Sequence, residues 1–313
     1  MIVALGRRLA GMLVVMFIVA TMVFFLTRLA PGDPAALMLG DQASIADVAH
    51  LRKTYGLDRP IYVQYALWLK EVVQGNLGNS IFLQRPVLTA IGERAEPTFF
   101  LALFSILIAA AIGVPAGIAS AVWRGRVSDQ AVSGGSMLAA SIPSFWLGLM
   151  FIQLFAVRLG WFPVAGYGPP GASFAERLYH LILPATVLGI VNSALITRFT
   201  RASMLDVLSE DFIRTARAKG LVESVVVLRH GLGNALVPII TVVGLTAALL
   251  IGGAIVTETV FGLPGIGNLV VSAVLRRDYP VIQGALIVIA GIYVLINFTI
   301  DMIYTLVDPR VKY

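Results

Sequence analysis

Six long stretches of this chain contain no Asp, Glu, Lys, Arg or His: Leu9 to Thr27, Pro97 to Trp123, Gln130 to Val157, Leu181 to Thr197, Gly231 to Thr257 and Pro280 to Ile300. Crossing the hydrocarbon core of a bilayer takes about 20 predominantly apolar residues in a helix. The runs are continuous rather than alternating, so they predict helices and not the strands of a membrane barrel. Only 13% of the 313 residues are charged, against the roughly 25% that covers an ordinary soluble domain. The expectation is an all-α, polytopic membrane protein with six transmembrane helices. Arg7 and Arg8 precede the first run as they would in a signal peptide, but that run exceeds the usual apolar length of 7 to 15 residues and five more follow it. It is read as an uncleaved first helix.

Lys and Arg in short loops set orientation. With both termini on the cytoplasmic side, the inner segments hold twelve bases against seven acids, and the two short outer loops hold four bases. The long first loop balances seven of each. Most of the net charge of +6 is therefore a positive-inside bias, which removes the main argument for nucleic-acid binding.

Residues 29–96 read as an extracytoplasmic helical loop. Ser44 to Asp47 has the form of a helix start, with Gly56 placed to end that helix. Asp58 and Pro60 can begin a second, with Ile61, Tyr65, Trp68, Leu69 and Val72 on one face and Gly75 closing it. A third amphipathic stretch, Val87 to Ala95, leads to Pro97. These helices make either a cap over the membrane helices or a docking surface for an external partner. Small residues at four-residue spacing mark close helix packing: Gly113 and Gly117; Ala140, Ser144 and Gly148; Gly244, Ala248 and Gly252.

Several chemistries lack their residues. The runs hold no ionisable group for a proton relay. The three histidines share no ligand spacing, and cysteine is absent, so no metal site is expected. None of the 30 glycines is followed by Lys, which excludes the Gly-Lys-Ser/Thr phosphate loop. No catalytic residues, cofactor or enzyme activity are expected in this chain. If ATP powers it, another chain binds the nucleotide. A secondary transporter or channel for a small polar solute is the alternative.

Residues 198–234 carry the clearest signal. Ser209 can cap a helix over Glu210 to Lys219, Gly220 suits a left-handed C-terminal position, and a short helix from Val222 to His230 follows. Half of the twelve inner bases lie in this segment. Two short helices meeting at a glycine form a compact knob that can dock in a groove and move as a rigid body.

The wording Asp211-Phe-Ile-Arg-Thr-Ala-Arg-Ala-Lys-Gly220, followed by Arg229-His-Gly-Leu-Gly-Asn-Ala-Leu-Val-Pro238, resembles the coupling loop of ABC importer permeases of the dipeptide, oligopeptide and nickel branch. The resemblance runs the length of the chain. It includes Pro31-Gly-Asp-Pro34, Tyr55-Gly-Leu-Asp-Arg-Pro60, Gly75-Asn-Leu-Gly-Asn-Ser80, Val260-Phe-Gly-Leu-Pro-Gly-Ile-Gly267, Arg277-Asp-Tyr-Pro280 and Asp301 to Arg310. The stretch Arg198 to Gly220 is especially similar to glutathione-importer permeases. Of the Glu-Ala-Ala that names the loop, only Ala216 matches, with Arg214 and Thr215 in the first two places.

The resemblance implies a type I importer permease fold in a bacterial cytoplasmic membrane. It also implies a second homologous permease subunit, two ATP-binding subunits carrying ATP and Mg, an extracytoplasmic substrate-binding protein, and surrounding lipid. The cargo it implies is a dipeptide, a longer peptide, glutathione or a nickel chelate. Glu210, Asp211, Arg214, Thr215, Ala216, Arg217, Ala218, Lys219 and Gly220 would form the ATPase-coupling loop. The glycine- and proline-punctuated segment with Phe261, Leu263, Pro264, Gly265, Ile266 and Gly267 is expected to form a re-entrant turn at an outer gate, with a plain surface loop as the other reading. Gln153, Asn192, Ser193 and Asn297 either line the path or hydrogen-bond between helices.

Overall fold

The computed structural model describes residues 2–29, 44–54 and 56–307. Pro31 to Pro34, Tyr55 and the last residues of the 301–310 motif lie outside that set. Among the described residues the elements are helical, apart from an isolated bridge between Asn79 and Pro86. In chain order, α1 is Ile2–Leu29, α2 Ile45–Thr54, α3 Ile61–Val73, α4 Val87–Val122, α5 Val127–Ser141 and α6 Ser144–Phe151. Then α7 is Phe174–Leu208, α8 Asp211–Ala218, α9 Glu223–Val225, α10 Gly233–Val260, α11 Ile266–Arg276 and α12 Tyr279–Val307. π-helical turns at Ile152–Arg158 and Val226–Leu232 extend α6 and join α9 to α10.

Among the described residues, five helices are long and apolar enough to cross a membrane. The sixth expected span is a broken one: α5 and α6 meet at an angle of 96°. Pro143 causes the break. It sits at the N-cap of α6 with φ −61° and ψ 132°, and a proline there lacks the N–H that would continue the helix from α5. The small residues Ala140, Ser144 and Gly148 consequently do not share one helix face. Proline does not break α4, which runs through Pro97 and Pro115 and absorbs the expected amphipathic stretch from Val87. The helices also overrun the uncharged runs. α7 continues to Leu208, and α10 reaches Val260, so that it includes Glu258.

The chain divides into two compact units, residues 1–96 with 268–294, and 97–267 with 295–313. In the first, α3 packs on α1 through aromatic rings, with Phe24 5.2 Å from both Tyr65 and Trp68. Pro60 precedes α3 and Gly75 (φ +82°) follows it, as the sequence predicts. Asp278 organises the rest of this unit. Its carboxylate accepts from Ser80 Oγ (2.5 Å) and from the N–H groups of Ile81 and Phe82 (3.3 Å each), which anchors the loop before α4 to the start of α12.

In the second unit, α7 is the central helix. Glycines let α4 approach it. A Cβ on Gly117 would lie 2.6 Å from Thr200 Cβ and 2.7 Å from the Thr197 carbonyl, and one on Gly113 would lie 2.7 Å from Ile196. Leu101, Leu181, Leu188, Leu250, Phe261 and Leu263 form its main core. A nearly buried ion pair ties three elements together. Asp129 on α5 accepts from Arg201 Nε (2.8 Å) and Nη2 (2.9 Å) on α7, from Ser120 on α4 (2.5 Å), and from the Gly125 N–H (2.9 Å). The Asp129 side chain is 7% exposed and that of Arg201 30%. Removing one partner of such a pair strands the other, and the more deeply buried charge suffers more. Arg201→Met should therefore lower the thermal-aggregation midpoint of the purified protein more than Asp129→Asn. Equal or reversed losses would contradict this assignment.

Candidate functional site

The knob is built at the end of α7. Leu208 ends that helix, and the Ser209 hydroxyl donates to the Asp206 carbonyl (2.7 Å). Ser209 thus closes α7 instead of capping the next helix. The residue at the N-cap of α8 is Glu210, in extended conformation and without a side-chain cap bond. α8 spans Asp211–Ala218, with Ile213 and Ala216 buried against Val226 and Leu208. Gly220 (φ +77°) adopts the left-handed turn expected of it, and its N–H donates to the Arg217 carbonyl (2.9 Å).

Arg217 grips Glu223 across this turn with two hydrogen bonds, 2.7 and 3.2 Å long. That hydrogen bonding holds the Glu223 carboxyl below its usual range and raises Arg217. The pair is half-exposed, so its role is geometric more than energetic. The 3.2 Å pair of Asp211 and Arg214 is almost fully exposed and contributes little stability. Glu210, Asp211, Arg214, Thr215, Arg217, Ala218, Lys219 and Gly220 all face outward. Beside them, Phe212, Leu221 and Val222 present exposed apolar surface, 43%, 41% and 69% accessible. A rigid two-helix turn with a mixed apolar and charged outer face is suited to docking in a groove.

The glycine-proline segment forms a second ordered structure. Phe261 and Leu263 are buried in the main core, and the Phe261 carbonyl accepts from Gly166 N–H (2.9 Å). Gly262 has φ +59°, Pro264 is exposed, and Ile266 opens α11. Two residues that the sequence reading did not select hold this turn. Glu258 is fully buried, and Thr98 Oγ1 donates to its Oε1 (2.5 Å) while accepting from the Ile266 N–H (2.9 Å). Gly265 and Gly267 leave the space that this carboxylate fills, since a Cβ on Gly267 would lie 2.8 Å from Glu258 Oε2. An acidic residue one position beyond an apolar run was the available signal.

The four polar residues of the runs are dispersed. Gln153 is exposed on the π turn after α6. Asn192 and Ser193 bond to carbonyls of their own helix, Leu188 (2.8 Å) and Ile190 (2.7 Å). Asn297 is half-buried on α12.

Comparison with known proteins places this architecture. Residues 113–313 match the family described as binding-protein-dependent transport system inner membrane component, and residues 1–98 match its N-terminal companion. The chain is 45% identical to a Sinorhizobium fredii protein named "Probable peptide ABC transporter permease protein y4tP", over 98% of both. It is 42% identical to the glutathione transport system permease protein GsiC of Escherichia coli K12, also over 98% of both. An inward-facing structure of the MetNI methionine ABC transporter shares the fold, with a TM-score of 0.60 at 20% identity over 70% of this chain and 96% of that one. The chain with the bent span, the buried Glu258 turn and the knob at Asp211–Gly220 therefore belongs to the family of inner membrane permease components of binding-protein-dependent ABC transport systems.

Proposed function

We propose that this chain is one of two homologous permease subunits in an ATP-driven importer that moves small peptides, glutathione included, across the cytoplasmic membrane. Both termini and the knob lie on the cytoplasmic side. The outer face of Glu210 to Gly220 docks on a separate ATP-binding subunit, and a binding protein delivers cargo from outside. Closure of the ATPase dimer drives the path from outward- to inward-facing through the knob, and the turn at Phe261 to Gly267 gates the outer end. The observation that carries this reading is the knob itself: a braced turn with exposed apolar residues, in a chain whose relatives at 42 to 45% identity are named as peptide and glutathione permeases.

Purification should recover two ATPase chains with this one, and uptake of peptide into proteoliposomes should require ATP and stop with vanadate. Uptake without an ATPase would support the secondary-carrier alternative and overturn the proposal. Gly220→Trp tests the docking surface. The site has open space around it, so the bulk projects outward, while the positive φ penalises any side chain. Uptake and ATPase association should both fall, and persistence of both would remove the knob from the coupling role.

A further inference from the structure

The first unit contains a cavity of about 330 Å³ that the transport cycle above does not use. It lies between the end of α1, one face of α3, the loop at 76–81 and the start of α12. Its volume falls in the range of small-molecule sites, roughly 300 to 1,000 Å³.

The charged groups sit at two places in it. Arg28 lies near one end, its guanidinium 4.8 Å from the centre of the Phe24 ring, and it donates to Gln64 Oε1. Gln64 is itself fixed, since its Nε2 donates to the carbonyls of Arg59 (2.7 Å) and Leu57 (3.2 Å). No carboxylate among the described residues pairs with Arg28. Glu71 provides the negative charge, and one of its oxygens accepts from Asn76 (2.7 Å). Trp68 stands between Gln64 and Glu71 on the same helix face. Across from them is Gln283, 8% exposed. Its Nε2 donates to Thr27 (2.6 Å), and its Oε1 has no hydrogen-bond partner among the described residues.

We propose that this cavity is a subsite for a zwitterion of tripeptide length, its carboxylate at Arg28, its ammonium at Glu71 and a backbone N–H donated to Gln283 Oε1. The length follows from helix geometry. Gln64, which holds Arg28, and Glu71 are seven residues apart on α3, almost two full turns, so they lie about 10 Å apart along its axis. An extended peptide advances about 3.3 to 3.6 Å per residue, so three residues bridge that separation. A phospholipid headgroup of the ethanolamine type carries the same two charges at a much shorter separation. Arg28 lies at the end of α1 that the proposed orientation puts outside, so the subsite faces arriving cargo. The inference rests on that reading.

The probe is radiolabelled trialanine, on the full-length chain in its assembled complex, in phosphatidylcholine nanodiscs without binding protein. Saturable binding is expected. Arg28→Gln and Glu71→Gln should each weaken it roughly tenfold, the scale of one charge-assisted hydrogen bond. Arg28→Lys keeps the charge but loses the planar guanidinium over Phe24, so its affinity should fall between those of the wild type and Arg28→Gln. Amidated trialanine should lose affinity on the wild type and on Glu71→Gln but lose nothing further on Arg28→Gln. N-acetyl trialanine should show the reverse pattern. Glycerophosphoethanolamine should bind more weakly than trialanine. Absence of saturable binding, equal binding of blocked and free peptides, or tighter binding of glycerophosphoethanolamine overturns the subsite. ATP-driven uptake measured with the binding protein present keeps the two readings apart. If it persists while the nanodisc binding is absent, only the subsite falls; if uptake itself is absent, the importer reading falls.

Discussion

Replacing Ile213 by Asp should abolish ATP-driven uptake while the chain still inserts in the membrane. Ile213 is fully buried, and with Ala216 it forms the contact of α8 with Val226 and Leu208. α8 has eight residues and no side-chain cap, too short to be stable as an isolated helix, so its position depends on that contact. A carboxylate at this place would be buried without a partner, at a cost of several kcal/mol, and the cheaper outcome is release of α8 into water. Each 1.4 kcal/mol is a factor of ten in occupancy, so uptake should drop at least about a hundredfold. Ile213→Val removes one methyl group and should cost only about 0.5 to 1.5 kcal/mol, leaving uptake measurable. The comparison is made in proteoliposomes with matched amounts of inserted protein. Near-normal uptake by the Asp variant would mean that α8 does not transmit the ATPase motion.

The second large effect is expected at Gly267. A Cβ there would lie 2.6 Å from the backbone Cα of Ile255 and 2.8 Å from Glu258 Oε2, so neither a rotamer change nor a small shift relieves it. Gly267→Val should push the first turn of α11 away from α10 and break the Ile266 to Thr98 hydrogen bond. Overpacking of this kind costs about 1 to 3 kcal/mol or more, and here it also disturbs the hydrogen bonding of a buried carboxylate. The variant should lose most of its monodisperse yield in detergent and its transport. Gly252→Ala is the control: nothing lies within 4 Å of the new Cβ, so it should be neutral or slightly stabilising, as Ala is favoured over Gly inside a helix. Similar behaviour of the two variants would show that the turn is not held by Glu258.

Much of this fold was legible because a bilayer accepts few solutions. An uncharged run long enough to cross it is a helix, and five of the six runs proved to follow one continuous helical stretch, while the third is helical on both sides of a break at Ile142 and Pro143. Gly56, Gly75 and Gly220 were legible because a left-handed turn has few residue choices, and all three have positive φ. The break at Pro143 was harder to anticipate, since α4 carries two prolines and continues. Whether a proline bends a helix depends on whether neighbours satisfy the freed carbonyl, and hydropathy does not carry that information. Ser209 shows the same limit locally. A hydroxyl between two helices can close the first or cap the second, and the choice here follows from where α7 stops.

The sequence by itself determined the class of the protein, the location of its spans, the absence of a phosphate loop and the position of the knob, because these depend on composition and spacing along one chain. Only the tertiary structure decided which groups face each other. It placed Thr98 beside Glu258, 160 residues apart, Asp129 beside Arg201, and Arg28 and Glu71 around one cavity. Such pairings depend on how helices pack, and the helical period of each segment specifies a face but not its partner.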